Sequence, residues 1–408
     1  MATPSQPVVF PALANKHALE TPYRWIQTAS VMLILILVAA LFRLESSPYI
    51  AFAFAGAFIM HMLLRPNRRE LVVVVGAAAV FSISYYLHRG TFINFYGAVI
   101  AIPGGFLGMG SLLLVTMQWF WAPDGVKSFH RERAHQVALI PALCVCSLGA
   151  VNLAAQVTPI TYDRLLYAFD VKFGGPPSWF VGRLLRAHPW LFQACGYVYN
   201  SLPLGLATCL AIQWRDRQRN RPIVVDLRWL SVALGVTGFA LYQVCPAAGP
   251  VYLFGEQFPV QVPSLAGLAI RPEWLPPVAR NGMPSLHVGW TLLLFWNLRR
   301  RSWWMGALSA CYLLLTALAT LGSGEHYLVD LMVAPALALA IQGACTRTAS
   351  SMRWMAVAVG GAITLSWLMA FRSGAALLIP AGAATWSIAI ASVAVPGIVA
   401  WRLERSVD

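Results

Sequence analysis

Two strings of residues have types and spacings suited to chemistry on phosphorus. In Glu325-His326-Tyr327-Leu328-Val329-Asp330 an imidazole and a carboxylate stand four residues apart, which stacks them on one face of a helix. A carboxylate so placed accepts the Nδ1 proton and leaves Nε2 the more nucleophilic nitrogen. Asp330 is the only acidic residue set well inside an apolar span, with Glu325 at that span's outer edge. An ionisable group there is costly unless partnered, and functional by default. In Arg280-Asn281-Gly282-Met283-Pro284-Ser285-Leu286-His287 a cation and small residues lead into a helix start, with a second histidine one turn in. The N–H groups and positive dipole end of such a start suit a phosphate. Taken singly, either histidine could be structural, closing a helix end or filling a core. Taken jointly with Arg280, they offer a nucleophile and a general acid, the pair that phosphoryl transfer through a covalent intermediate requires.

The elements that must position these residues are set by composition. Of 408 residues, 59% are hydrophobic and 11% charged, which excludes an ordinary soluble globular protein. Apolar stretches of about twenty residues recur along the chain, each long enough at about 1.5 Å per residue to cross a hydrocarbon core of about 30 Å. The expected fold is all-α: a polytopic membrane protein of about twelve transmembrane helices, at 25–43, 48–64, 71–87, 94–121, 136–156, 191–212, 228–245, 284–298, 303–322, 325–344, 353–371 and 376–401. The first of these has no small-residue cleavage site and is expected to be a retained helix. The span 94–121 contains Pro103-Gly104-Gly105 and is expected to kink or break there. Two long connections, 157–190 and 246–283, are rich in Pro, and long loops in a compact helical protein usually carry function.

With these helices, 20 Lys and Arg fall on the side of the termini and 9 on the other. The bias places both termini in the cytoplasm and the two long connections outside it, in the cell inner membrane or an equivalent one. The net charge of +14 is accounted for by topology and lipid head groups, with no nucleic-acid partner. Seven scattered cysteines lack metal-ligand spacing and are expected to pack as small hydrophobes. The basic run His130 to His135 is expected to be a solvated cytoplasmic loop, and tryptophans at span ends to be interfacial anchors.

The strings RNGMPSLHV and EHYLVD resemble the second and third signature motifs of the type 2 phosphatidic acid phosphatase superfamily, in its inositolphosphotransferase-like branch, which contains fungal inositol phosphorylceramide synthase and bacterial relatives. Cys245-Pro246-Ala247-Ala248-Gly249-Pro250-Val251-Tyr252 resembles the Pro-rich first motif of that branch, making Pro246, Gly249, Pro250 and Tyr252 a candidate substrate loop. The resemblance covers roughly 136–344, a six-helix catalytic core, flanked by about four extra helices in 1–135 and two in 345–408. It implies that His326 is the nucleophile forming a phosphohistidine and that Asp330 orients it. His287 would protonate the leaving oxygen and then activate the acceptor, while Ser285 and its neighbouring N–H groups would hold the phosphate. Two departures stand out. The first motif has no cation, and Thr320 occupies the place, six residues before the nucleophile, where the classical phosphatases have Arg. Arg280 is the expected replacement, because the charge of a transferring phosphoryl group needs a cation, and Asn281 beside it is expected to bind the phosphate as well.

The expected activity is therefore a membrane-embedded lipid phosphatase or phosphotransferase, working without metal or other cofactor at the extracytoplasmic face. Its substrate is expected to be a phospholipid or polyprenyl phosphate, with water or an alcohol as acceptor. A transporter or flippase of a lipid or anionic solute is the main rival, and calls for acidic or gating groups at mid-membrane in several helices. A lipid-linked-sugar glycosyltransferase ranks lower, since the first outer loop offers only Glu45.

Overall fold

The computed structural model describes residues 48–408 except 93, 95, 96, 222, 348, 349 and 408; the helix expected over 25–43 lies outside them. The first described helix, α1, is Pro48–Leu63, followed by α2, Arg68–Arg89. Asn67 starts α2 with a reciprocal cap: its side chain accepts the Glu70 N–H and the Glu70 carboxylate accepts the Asn67 N–H, both at 2.9 Å. Helix α3, Ala98–Trp121, continues through Pro103 without a break. The proline lies in the second turn, where it forfeits a single backbone bond. The glycines beside it let α3 lie directly on α1: a Cβ on Gly108 would stand 1.7 Å from the Phe54 carbonyl oxygen.

Helix α4, Asp124–Val157, is 34 residues long, so the run His130 to His135, expected as a loop, is helical. Between Pro123 and Pro141 no proline interrupts this stretch, and Arg133 turns inward. Its guanidinium pairs with both Glu70 carboxylate oxygens at 2.9 and 3.0 Å and meets His61 Nε2 at 3.2 Å. Gln118 Nε2 donates to the same carboxylate at 2.6 Å. One buried polar network thus clamps α1, α2, α3 and α4 together.

The connection 157–190 folds into α5, Asp163–Asp170, and α6, Pro177–Ala187. The expected span 191–212 is a bent pair, α7 (Pro189–Asn200) and α8 (Leu202–Gln218), meeting at 50°. Then follow α9, Leu227–Leu241, the short α10, Pro250–Phe254, α11, Leu286–Leu298, α12, Trp303–Gly322, α13, Leu328–Cys345, α14, Ser351–Ser373, and α15, Ala383–Val407. Two-residue strands β1 (Ile160–Thr161) and β2 (Glu273–Trp274) pair antiparallel and tie the two long connections together.

Among the described residues seven helices are long and apolar enough to cross a membrane, and the bent pair makes an eighth; α1, α9 and α11 are apolar but shorter. The protein is a helical membrane protein, with α13 as its most buried span. Beside α13, an aromatic cluster that includes Tyr167, Phe169, Trp179, Trp367 and Phe371 fills the space between the long connections and α14. Trp179 Nε1 donates to the Gln261 carbonyl at 3.0 Å and Tyr167 Oη to that of Pro263 at 2.5 Å, so the rings pin the second long connection from beneath. Five of the seven cysteines are buried or half-buried as expected, whereas Cys146 and Cys311 are exposed.

Candidate active site

The three motif segments converge through their backbones. Gly282 N donates to the Ala247 carbonyl at 2.8 Å, Val251 N to that of Gly324 at 2.9 Å, and Ser285 N to that of Asp330 at 3.1 Å. Gly249 makes the approach possible. Its φ of +106° suits glycine, and an added Cβ would lie 2.4 Å from the Glu325 carbonyl oxygen.

His326 precedes α13 instead of riding on it, because the helix begins at Leu328. Helical stacking therefore does not explain the His326–Asp330 contact. The first turn folds back: Asp330 Oδ2 accepts the Tyr327 N–H at 2.8 Å and meets His326 Nδ1 at 3.3 Å. Both side chains are buried. With its Nδ1 proton directed at the carboxylate, the ring turns Nε2 toward Ser285 Oγ, 3.4 Å away. Ser285 is the N-cap of α11, and its side chain makes no capping hydrogen bond.

His287, the second residue of α11, is half-buried and held at both ring nitrogens. Tyr199 stacks on it with ring centres 4.1 Å apart and an interplanar angle of 20°. The Tyr199 hydroxyl lies 3.3 Å from Nδ1 and donates to Glu325 Oε2 at 2.5 Å. The Tyr49 hydroxyl, from α1, meets Nε2 in a short hydrogen bond. Because Tyr199 spends its proton on Glu325, it accepts from Nδ1–H, and Nε2 is left to exchange a proton with Tyr49. Adjacent residues thus serve different histidines: Glu325 reaches His287 through Tyr199, while His326 turns to Asp330.

Residues 164–344 match the model of the PAP2 superfamily. The match supports a phosphatase-type membrane enzyme, and its segment contains both histidines, Asp330, Tyr199 and the Pro-rich loop. No curated protein and no solved structure matches the chain. Tyr49 and all of α1 to α4 lie outside the segment matched to the PAP2 superfamily.

Arg280 does not present a free charge to this site. Its buried guanidinium donates to the carbonyls of Thr158, Val278, Leu275 and Pro276 at 2.9 to 3.2 Å. It braces the loop entering α11, and the expectation of a phosphate clamp is not met by this geometry. Lys172 and Arg183 are likewise engaged with carbonyls, of Leu377 and Ile379 and of Pro259 and Val260. Thr320 is buried, with its hydroxyl on the Ala317 carbonyl. Of the expected binding residues, Ser285 faces His326, while Asn281 and Tyr252 line a cavity of about 440 Å³ together with His287 and Glu325. Pro246 and Pro250 are buried in the loop wall.

Two further carboxylates, unnoticed in the sequence, support the site from below. Asp163 accepts the N–H groups of Ala248 (3.0 Å) and Gly249 (2.7 Å), fixing the Pro-rich loop. Asp170 accepts those of Leu328 (2.8 Å) and Val329 (3.4 Å), filling the N-terminus of α13. Burial pushes the Asp163 carboxyl up to about 6 against the pull of those N–H groups, and pushes Asp170 up as well. Their seven-residue spacing in DRLLYAFD, two turns of one helix, was the available signal. Among the described residues no three His, Cys, Asp or Glu side chains converge as a metal cage.

Proposed function

We propose that the protein transfers or hydrolyses a lipid-linked phosphate through a phosphohistidine on His326, at the extracytoplasmic face. The observation that carries this reading is that two imidazoles, each held by its own acid, stand on motif segments joined through their backbones. His326 is locked by Asp330 with Nε2 turned to Ser285 Oγ, and His287, which lines the cavity, is held by Tyr199 and Glu325 on one side and Tyr49 on the other. In the first step the His326 Nε2 lone pair forms a bond to phosphorus as the bond from phosphorus to the lipid oxygen breaks, and protonated His287 gives its Nε2 proton to that oxygen. In the second, neutral His287 takes a proton from water or an alcohol, whose oxygen attacks phosphorus and releases Nε2. Asp330 stabilises the positive ring of the phosphohistidine, as Glu325 does the His287 imidazolium through Tyr199.

The N-terminus of α13 is filled by Asp170, whereas at that of α11 the Ser285 side chain makes no capping bond and the Tyr242 hydroxyl takes only the Leu286 N–H. The phosphate charge is therefore assigned to the Ser285 hydroxyl and the first-turn N–H groups of α11 beyond Leu286. The resemblance of RNGMPSLHV and EHYLVD to the inositolphosphotransferase-like branch favours an alcohol over water as acceptor. The six-helix catalytic unit is assigned to 136–344. Purified protein given a lipid phosphomonoester labelled in its phosphate is expected to release free phosphate to water, or to pass the labelled phosphoryl group to an added alcohol as a new phosphomonoester. His326→Ala should lower turnover by on the order of 10³-fold or more while the protein stays folded. Full activity in that variant would remove the nucleophile assignment.

A further inference from the structure

The cavity at His287 is lined by a few polar groups, among them His287, Glu325 and Asn281, and by apolar side chains that include Leu143, Leu148 and Val151 of α4. Its volume of about 440 Å³ lies in the range of roughly 300–1,000 Å³ usual for small-ligand sites, which are mostly apolar with a few directed polar groups. The lining positions on α4 run from Leu143 to Asn152 with the repeat of one helical face, a path of about 14 Å along the helix at 1.5 Å per residue. Pro48 and Tyr49 of α1 close the wall, and Tyr49 also touches the nitrogen that exchanges the proton. Both α1 and α4 lie outside the matched segment 164–344.

We infer that this cavity seats the hydrocarbon body of the lipid whose oxygen leaves phosphorus, and that α1 and α4 decide which lipids fit. The inference rests on the phosphohistidine reading, since that reading places the leaving oxygen at His287. A phosphorus atom held at His326 Nε2 presents that oxygen to His287 Nε2, where the Tyr49 hydroxyl now lies. The lipid oxygen displaces the hydroxyl, and the chain attached to it continues along the α4 face, past Leu143, Leu148 and Val151. A hydrophilic leaving alcohol would leave the apolar side chains of that wall uncovered, whereas an acyl or prenyl chain packs against them.

Two measurements on the full-length protein in detergent test this. The first compares kcat/KM for dioctanoyl and dioleoyl phosphatidic acid in Leu148→Trp, Val151→Trp and the control Leu153→Trp, whose side chain is 60% exposed on α4 and outside the lining. The two cavity variants should shift the long-to-short ratio at least tenfold, and the control less than twofold. An unchanged ratio in both cavity variants overturns the inference even though turnover itself stands. The second uses a phosphatidic acid with a diazirine in its acyl chain, cross-linked and mapped by peptide mass spectrometry. Labelling of 143–152 that is lost in Leu148→Trp supports the seat even if no lipid turns over, in which case the catalytic reading fails alone. Labelling confined to other helices overturns the seat.

Discussion

The Glu325 carboxylate is one residue from His326 yet works on the other histidine, and this division of labour has a measurable consequence. Glu325, Tyr199 and His287 form a chain in which each link holds the next. Removing the tyrosine hydroxyl takes away both the acceptor for Nδ1–H and the route by which the carboxylate stabilises the imidazolium. Tyr199→Phe and Glu325→Gln are each expected to lower kcat by roughly ten- to a hundredfold with little change in KM. The double variant should lose little more than either alone, because the two act through one path. Additive losses would mean that they act separately. The residue scale is also where legibility in the sequence was uneven. His326, Asp330, His287 and Ser285 could be picked out because each pair is local in sequence. Tyr49 could not, since 238 positions separate it from His287. Arg280 looked like a phosphate ligand because its charge is visible in sequence, but the four carbonyls that absorb it are not.

At the scale of elements, the placement of Tyr49 depends on how closely α1 can lie against α3. Backbone contact at Gly108 leaves no room for a side chain, so Gly108→Val must push α1 outward. Overpacking of this kind typically costs about 1–3 kcal/mol. The expected outcome is a lower melting temperature in detergent together with reduced kcat/KM; a variant with both unchanged would show that α1 is not held by this contact. On the far side of the same helices, the Arg133–Glu70 pair fixes α2 and α4, with side chains 9% and 12% exposed. A buried pair of this type tolerates loss of one partner poorly. Helix interiors were well legible, and α12 has the boundaries expected for it. The ends of α4 and α13 were not. One runs on through a charged segment whose arginine finds a buried partner, and the other starts late because Asp170 and Asp330 cap it at Leu328.

For the molecule as a whole, the charge bias predicts a sidedness that can be checked in intact cells. In a chain with its seven cysteines replaced, Glu256→Cys is expected to react with a membrane-impermeant maleimide from outside. Asn220→Cys should react only after the membrane is opened; the reverse pattern would invert the topology. The sequence alone determined that this chain is a helical membrane protein and that two histidine motifs stand at the ends of its apolar segments. Those properties depend on residues within one turn or one span, where hydropathy and spacing act locally. The tertiary structure alone decided which groups meet across the bundle: a tyrosine of α1 on the imidazole of α11, two aspartates of α5 beneath separate loops, and the α4 face as the wall of the cavity. Such partnerships are chosen when helices distant in sequence close against each other, and a buried polar group then takes whichever partner the packing brings within reach.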